Sequence, residues 1–514
     1  MSLATEWSTM PANRTASAYA SLILERVRQG MPDDDWLVPW VGAPATASYF
    51  PGCQLRTLPL PQAGAGIYSH GAAQTVQTIT DGLYLAYAPT ALRLSVNLND
   101  EVSVHSHASS VKWGRTTASG GGRYCVDIYL VQGENGDIPT GVHHYSPVHN
   151  GWEHLDPHDR TEELRIIQGY AERAQRYVCY SINYWQSAFK YNDFAYQATA
   201  MDIGTIIGSL YALWGARTAG SWDMNVNEPA LADLLGLDSR DDGVYAVQAW
   251  GSVPPQQPRS PGVTSRGRRG ATAMRGGLPP HRFATTIALQ RAMATEHHRD
   301  QHQATTVGTS SQPADLSRRV ADALGRETSF GRFTGAPIDL TALDEVLAAG
   351  ADAARALTLS TDCVEWEYLV YASNVNGLEP GLYRRAEGES DLQLLRKGSQ
   401  QEFLASSYFL RNYDGRLAAA TVIVCASIFE ASQRDGVHGY RFVNALAGAC
   451  CQGISTGAVR AGLGTGTALG FDARAVADHA KLDAERMCPL LMIMIGKDNP
   501  TAGRLSMKIW GEPR

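Results

Sequence analysis

This 514-residue chain has little that would commit it to a membrane, an oxidising compartment or a polyanion. Its eight cysteines include no C-x-x-C pair, and two of them, Cys450 and Cys451, are adjacent. That spacing excludes a zinc ribbon or a dithiol redox motif and fits reduced thiols in a cytoplasm. The longest apolar runs, Leu417–Phe429 and Cys488–Gly496, fall short of the roughly 20 residues that a spanning helix needs. The first residues, Met1-Ser-Leu-Ala-Thr-Glu-Trp7, show neither a basic n-region nor an apolar h-region, so no secretory signal is evident. Basic charge is not in excess either. Lys and Arg number 44 against 51 Asp and Glu, a net charge of −7, which argues against a polyanion-binding surface. With 44% hydrophobic residues the expectation is a cytoplasmic globular protein of two or three domains.

What is present is one pattern written twice. Lys190-Tyr191-Asn192-Asp193-Phe194-Ala195-Tyr196 leads into a long apolar stretch and then Glu228–Asp238. Roughly 245 residues later, Arg434-Asp435-Gly436-Val437-His438-Gly439-Tyr440 leads into a similar stretch that closes with Ala473–Asp483. Pro139-Thr140-Gly141 and Pro380-Gly381-Leu382-Tyr383 hold the same register. So long a period implies duplicated domains rather than a solenoid. The chain therefore divides into an N-terminal helical and extended segment (1–75), a first repeat (76–250), a linker (251–312) and a second repeat (313–514). The linker is rich in Pro, Gly, Ser and Arg, with one helix expected over Phe283–Ala294, and its composition predicts little burial. Its Arg266–Arg269 cluster reads as a solvated tether. Helical patterns alternate irregularly with strand-like runs such as Val126–Val131 and Met492–Ile495, which predicts an α+β class.

Three motif matches do not fit their context. Gly453-Ile-Ser455-Thr-Gly457 matches a nucleophile elbow but lies inside a continuous helical stretch. Gly462-Leu-Gly464-Thr-Gly466 follows a helix where a dinucleotide loop must follow a strand. His297, His298 and His302 lie in the linker with no cysteine or carboxylate framework, so no metal site is expected.

The remaining candidates are complementary between the repeats. The first has Arg115 and Ser119-Gly120-Gly121-Gly122 before a strand, a turn that lets a planar or anionic ligand approach the backbone. The matching stretch of the second repeat, Ala356–Cys363, has no glycine. The second repeat opens instead with Arg326-Glu-Thr-Ser329-Phe-Gly-Arg332-Phe333, able to hold a phosphate through charge-assisted hydrogen bonds. Thr78–Ala91 in the first repeat has no such arrangement.

Together these segments resemble the flavin-dependent nitroreductase superfamily, and within it the SagB-type azoline dehydrogenases of thiopeptide-like pathways. The resemblance is carried by the Ser-Gly-Gly turn, the Lys190-Tyr191 pair, Pro380–Tyr383, the Leu463-Gly464-Thr465 turn, and Phe50-Pro-Gly52 with Leu58–Pro61. It covers most of residues 10–250 and 313–497. It implies two tandem nitroreductase-like domains forming an intramolecular pseudo-dimer around one FMN. Arg326, Ser329, Arg332, Gly464 and Thr465 would come from the second repeat, and Arg115, Ser119, Gly120, Gly121, Lys190 and Tyr191 from the first. The family's R-R-S-x-R-x-F has become Glu327-Thr328-Ser329-Phe330-Gly331-Arg332-Phe333 with Arg326 ahead of it, so Lys497 and Arg504 are further candidates for the phosphate. The implied reaction oxidises thiazoline or oxazoline rings of a ribosomal peptide to thiazoles or oxazoles. Tyr191 is the candidate base and Lys190 the charge that would lower its pKa. The expected partners are an azoline-containing precursor peptide and cyclodehydratase proteins of the same pathway, with neither nucleic acid nor membrane. A generic NAD(P)H-dependent nitro- or quinone reductase and a non-catalytic scaffold are the alternatives.

Overall fold

The computed structural model describes residues 7, 10–32, 35–61, 75–96, 109–215, 222–252, 273–296, 316–326, 332–358, 364–409, 414–499 and 504–508. Ser329, the linker cluster at Arg266–Arg269 and the histidines at 297–302 lie outside them. The strands of the first half are β1 (Gln54–Thr57), β2 (Pro89–Val96), β3 (Ser109–Arg115), β4 (Val126–Gln132), β5 (Gly141–Ser146), β6 (Gly151–Asp156), β7 (Ala174–Asn183), β8 (Trp222–Asp223) and β9 (Asp242–Ser252). Those of the second half are β10 (Ile338–Asp339), β11 (Trp366–Ala372), β12 (Val375–Asn376), β13 (Gly381–Ala386), β14 (Gln393–Lys397), β15 (Ala420–Ala426), β16 (Gly464–Ala468), β17 (Cys488–Gly496) and β18 (Arg504–Lys508).

Two antiparallel sheets of the same order result. One runs β1-β6-β5-β4-β7-β9-β8 and the other β14-β13-β11-β15-β17-β16, so without β1 they match strand for strand. The central strands are buried along both faces: every residue of β4, β11, β15 and β17 is buried, including the charged Asp127 and Glu367. β18, from the end of the second half, adds to the β2–β3 hairpin of the first.

After β7 the chain forms the helix Tyr184–Tyr191, a kink, and the helix Ala195–Trp214; after β15 it forms the single kinked helix Ile428–Arg460. The kinks have one backbone geometry. Asn192 has φ 47° and ψ −136°, and Gly436 has φ 58° and ψ −136°. Positive φ suits glycine, and Asn192 is the uncommon L-residue that adopts it. Downstream, the two long helices cross where glycine permits backbone contact. A Cβ on Gly204 would overlap the Ala445 carbonyl, and one on Gly448 would overlap the Met201 carbonyl. The two overlaps are related by the same sequence offset as the two kinks, so the helices cross about a local two-fold axis. Among the described residues Ile428–Arg460 is the one helix long and apolar enough to cross a bilayer, and it is this buried core helix.

The linker differs from its compositional expectation. Met274 pairs with Tyr49, Arg275 meets Asp242 and Asp127, and the helix Ala284–Thr295 buries Leu289 and Met293. Polar contacts add to this apolar packing, and a composition count does not register them. Gln290 donates to Glu228 Oε1 at 2.7 Å and accepts from Tyr184 Oη at 2.7 Å and from Arg441 Nη2 at 2.6 Å. The helix also spans the two kinks: Thr285 N donates to Asp193 Oδ1 at 3.0 Å, and Glu296 accepts from Val437 N and contacts His438 Nδ1.

Candidate functional site

A strap running from Arg115 to Gly121 is held by both halves. At its start, Arg326 Nη1 of the second half donates to the Arg115 carbonyl at 3.2 Å. Gln452, on the core helix of the second half, then brackets it: Nε2 donates to Thr116 O at 2.8 Å, and Oε1 accepts from Ala118 N at 3.2 Å. At the far end the first half takes over. Thr205 Oγ1 donates to Ala118 O at 2.9 Å, and Asp202 accepts from Ser119 Oγ at 2.6 Å and from Gly120 N at 2.9 Å. Within this strap Thr117 Oγ1 is buried and has no hydrogen-bond partner among the described residues.

The glycine turn closes on the sequence-predicted pair. Gly121 has φ 59° and Gly122 φ 67°, which fits the glycine-rich sequence. A Cβ on Gly121 would overlap Tyr191 Oη and lie 2.7 Å from Lys190 Nζ, whereas one on Gly122 would meet open space. Lys190 and Tyr191 end the helix Tyr184–Tyr191, and the Lys190 ammonium lies 5.0 Å from the Tyr191 ring centroid and 6.0 Å from that of Trp40. The electrostatics differ from the sequence-based expectation. Burial pushes the Tyr191 phenol well above its ordinary value, the Asp202 carboxylate adds to this, and Arg123 opposes it. Lys190 does not lead to a depressed phenol, because loss of water around the ring outweighs the nearby positive charge.

Arg115 also behaves differently from the expectation of a cofactor-facing side chain. Its guanidinium is buried in the first half, 4.0 Å from the Tyr124 ring centroid and 4.9 Å from that of Tyr87, with Nη1 donating to Tyr87 O. It lines a small cavity with Ser48, Asp127 and Asn183, and its backbone carbonyl meets the second half by accepting from Arg326.

The second-half candidates form a neighbouring group. Arg326 is buried beside Cys451, whose Sγ is 3.4 Å from Thr467 Oγ1, and Thr465 Oγ1 donates to Ser455 Oγ at 3.3 Å. Ser455 is thus a buried core-helix residue beneath β16, as its helical context predicted. Gly464 pairs with Gly496 in the β16–β17 ladder and faces the Asp498 carboxylate. Arg332 and Lys497 join this edge through their main chains: Asn499 N donates to Arg332 O at 2.6 Å, and Thr334 N to Lys497 O at 2.9 Å. Arg504 begins β18, paired with Ser95.

Sequence reading did not single out Asp202, Arg123, Trp40 or Gln452. Arg123 Nε donates to Gln186 O at 2.9 Å and Nη2 to Pro44 O at 3.1 Å, tying the N-terminal segment beside the turn. Asp202 had a usable signal, since a lone carboxylate in the apolar run Ala200-Met-Asp-Ile-Gly204 is conspicuous. Among the described residues no group of His, Cys, Asp and Glu is arranged to hold a metal.

Comparison with known proteins agrees with this architecture. A family model described as Nitroreductase family matches residues 325–497. A protein of Anabaena variabilis described as a candidate nitroreductase superposes with a TM-score of 0.70 at 18% identity, covering 94% of this chain and 99% of its own. The Escherichia coli microcin synthetase McbBCD complex with truncated pro-MccB17 bound matches at a TM-score of 0.27 and 21% identity, over 39% of this chain and 70% of that one. No curated protein matches by sequence. Residues 325–497 thus carry a nitroreductase-family domain, and the chain as a whole has a nitroreductase-like fold of mixed helix and sheet.

Proposed function

We propose that the chain is an FMN-dependent dehydrogenase that oxidises thiazoline or oxazoline rings of a ribosomal peptide to thiazoles or oxazoles, its two halves forming a pseudo-dimer around one flavin. The observation that carries this reading is the strap 115–121, fastened by Arg326 and Gln452 at one end and by Asp202 at the other. It brings a glycine turn, a Lys-Tyr pair and a buried arginine of the opposite half to one interface, and interfaces of this kind are common ligand sites. Nitroreductase-family domains typically bind flavin. The residues fit one here: Thr117 Oγ1 is a buried polar atom with no partner among the described residues, and the Gly122 face is open.

Arg326 and Arg332, with Ser329, would hold the phosphate, with Lys497 and Arg504 as further donors and Gly464 and Thr465 lining the same side. Ser119, Gly120 and Gly121 would lie against the ring system from the first half, and Arg115 would contribute through its carbonyl. Bound FMN supplies a hydride acceptor for the ring carbon that must lose hydride. Tyr191 Oη would take the accompanying Cα proton. Because burial holds this phenol protonated near neutral pH, its service as a base grows as pH rises. Lys190 Nζ, on the same side of Gly121, stabilises the phenolate once formed. The precursor peptide, presented by cyclodehydratase proteins, is the proposed partner, and the cytoplasm the proposed location.

One observation favours the scaffold alternative. The Asp498 carboxylate lies against Gly464, an anion beside the segment assigned to phosphate. Two measurements on the purified full chain separate the readings. Flavin released on denaturation should approach one per chain, and an azoline-containing peptide should lose two hydrogens per ring without NAD(P)H. A chain free of flavin would favour the scaffold, a ratio near two would overturn the single-site pseudo-dimer, and NAD(P)H-dependent reduction of a nitroarene or quinone with no azoline oxidation would indicate the generic reductase.

A further inference from the structure

Asp202 lies on the helix Ala195–Trp214, 6% exposed, in a position where the second half has an apolar residue. Counting from the matched kinks at Asn192 and Gly436, its counterpart is Leu446. A carboxylate buried this deeply has to be hydrogen-bonded, and its three partners among the described residues lie on one segment, 119–125. Oδ2 accepts from Ser119 Oγ at 2.6 Å and from Cys125 Sγ at 3.4 Å, and Oδ1 accepts from Gly120 N at 2.9 Å. Ser119 Oγ in turn accepts from Tyr124 N at 2.8 Å. A Cβ built on Gly120 would lie 3.9 Å from Asp202 Oδ1 and 3.9 Å from Tyr191 Cε2, so carboxylate and phenol flank the same turn.

We propose that Asp202 is a positioning residue of this site: its carboxylate ties the Ser119–Gly121 turn down against Tyr191, and the turn's geometry depends on the carboxylate's charge. The inference deepens the proposed function and rests on it only for its catalytic consequence. The ionised carboxylate accepts all three hydrogen bonds. Once protonated, Oδ2 gains a proton between Ser119 Oγ and Cys125 Sγ and loses acceptor capacity, so at least one of those two bonds weakens or reverses. Burial raises Asp202 to about 6, while its bonds from Ser119, Gly120 and Cys125 pull the other way, so this change falls near neutrality. The groups facing it are Cys125, just before β4, Tyr191 at the end of the helix Tyr184–Tyr191, and Tyr87 at the end of the helix Val76–Tyr87, while Lys190 Nζ lies beside Gly121 of the same turn. Burial raises Cys125, Tyr191 and Tyr87 far above that range, so none of these three accounts for a change near pH 6.

The test uses the full chain with its flavin and the variants Asp202→Asn and Ser119→Ala. Hydrogen–deuterium exchange of the peptide spanning 118–125, corrected for intrinsic rates, should show protection above pH 6 that is lost by pH 5 in the unmodified protein. In Asp202→Asn the protection should no longer depend on pH. Below about pH 6 azoline oxidation should fall more steeply than the dependence that Tyr191 imposes at higher pH, and Asp202→Asn should remove the added steepness of that acid limb while keeping the Tyr191 slope. Ser119→Ala deletes a bond that favours the charged form, so its limb should move to higher pH; this variant serves if Asp202→Asn does not fold. Unchanged protection and an unchanged acid limb in the variants would overturn the proposal. A pH-dependent turn in a protein with no azoline activity would uphold Asp202 and overturn the assigned reaction instead.

Discussion

Tyr191 and Lys190 meet over Gly121 because that residue has no side chain, and any larger one would displace both. The kink at Asn192 ends their helix and fixes its last turn beside the glycines. Tyr191→Phe keeps the ring and removes only the proton acceptor. Azoline oxidation should therefore drop by roughly 10²–10⁴-fold while flavin stays bound, measured by mass loss of the peptide and by absorbance. In the unmodified enzyme the rate should climb with pH through the neutral and alkaline range, since the buried phenol must ionise to act. The phenylalanine variant should lose that climb. At the matching place of the second half, Arg434 Nε pairs with Asp435 Oδ2 at 2.7 Å, and alanine at either should alter stability at most. Loss of activity there, with Tyr191→Phe fully active, would put the site in the wrong half.

At the scale of elements, the crossing of the two long helices decides how closely the halves approach. Gly204 and Gly448 each leave room for a carbonyl of the opposite helix. Gly448→Ala should push the helices apart and cost about 1–3 kcal/mol of stability, read as a lowered midpoint in urea. Gly204→Ala should cost a similar amount. The double variant should cost less than the two together, because one displacement relieves both overlaps. Additive losses would mean that the contacts are independent and that the crossing is not a shared constraint. The same separation would loosen Gln452 from the strap, so the effect on flavin retention should follow the effect on stability.

For the whole molecule, the buried network around Arg441 joins three regions of the chain. Arg441 pairs with Glu228, donates through Nε to Tyr196 Oη at 2.7 Å and through Nη2 to Gln290 Oε1 at 2.6 Å, and lies 3.8 Å from the Tyr245 ring centroid. The second half, the first half and the linker helix thus share one guanidinium. Arg441→Ala strands Glu228 at 2% exposure, a loss of about 3–5 kcal/mol for a broken buried pair. Equilibrium unfolding should report that loss, and limited proteolysis should cut more readily within 284–296. A change under about 0.5 kcal/mol with an unaltered digestion pattern would show the network to be dispensable.

The duplication, several of the helices and strands and the helical setting of Ser455 could be read from the chain. Hydrophobic periodicity and the glycine signals are local properties, carried by each segment alone. The Lys190-Tyr191 and Ser119–Gly121 candidates were legible for the same reason, as short motifs with a recognisable resemblance. What tertiary structure decided was burial and partnership. Whether Tyr191 is depressed or raised depends on how much water the fold removes around it, and that follows from packing rather than from its neighbour Lys190. Arg115 turns its guanidinium into the first half because Tyr87 and Tyr124 are there to receive it. The linker helix is held in the core through Gln290, a residue whose composition class gives no hint of three buried partners. Asp202 acquires its role because folding brings it to Ser119 and Gly120, some 80 residues away in sequence, and hydrogen bonds of that span cannot be read from a linear pattern.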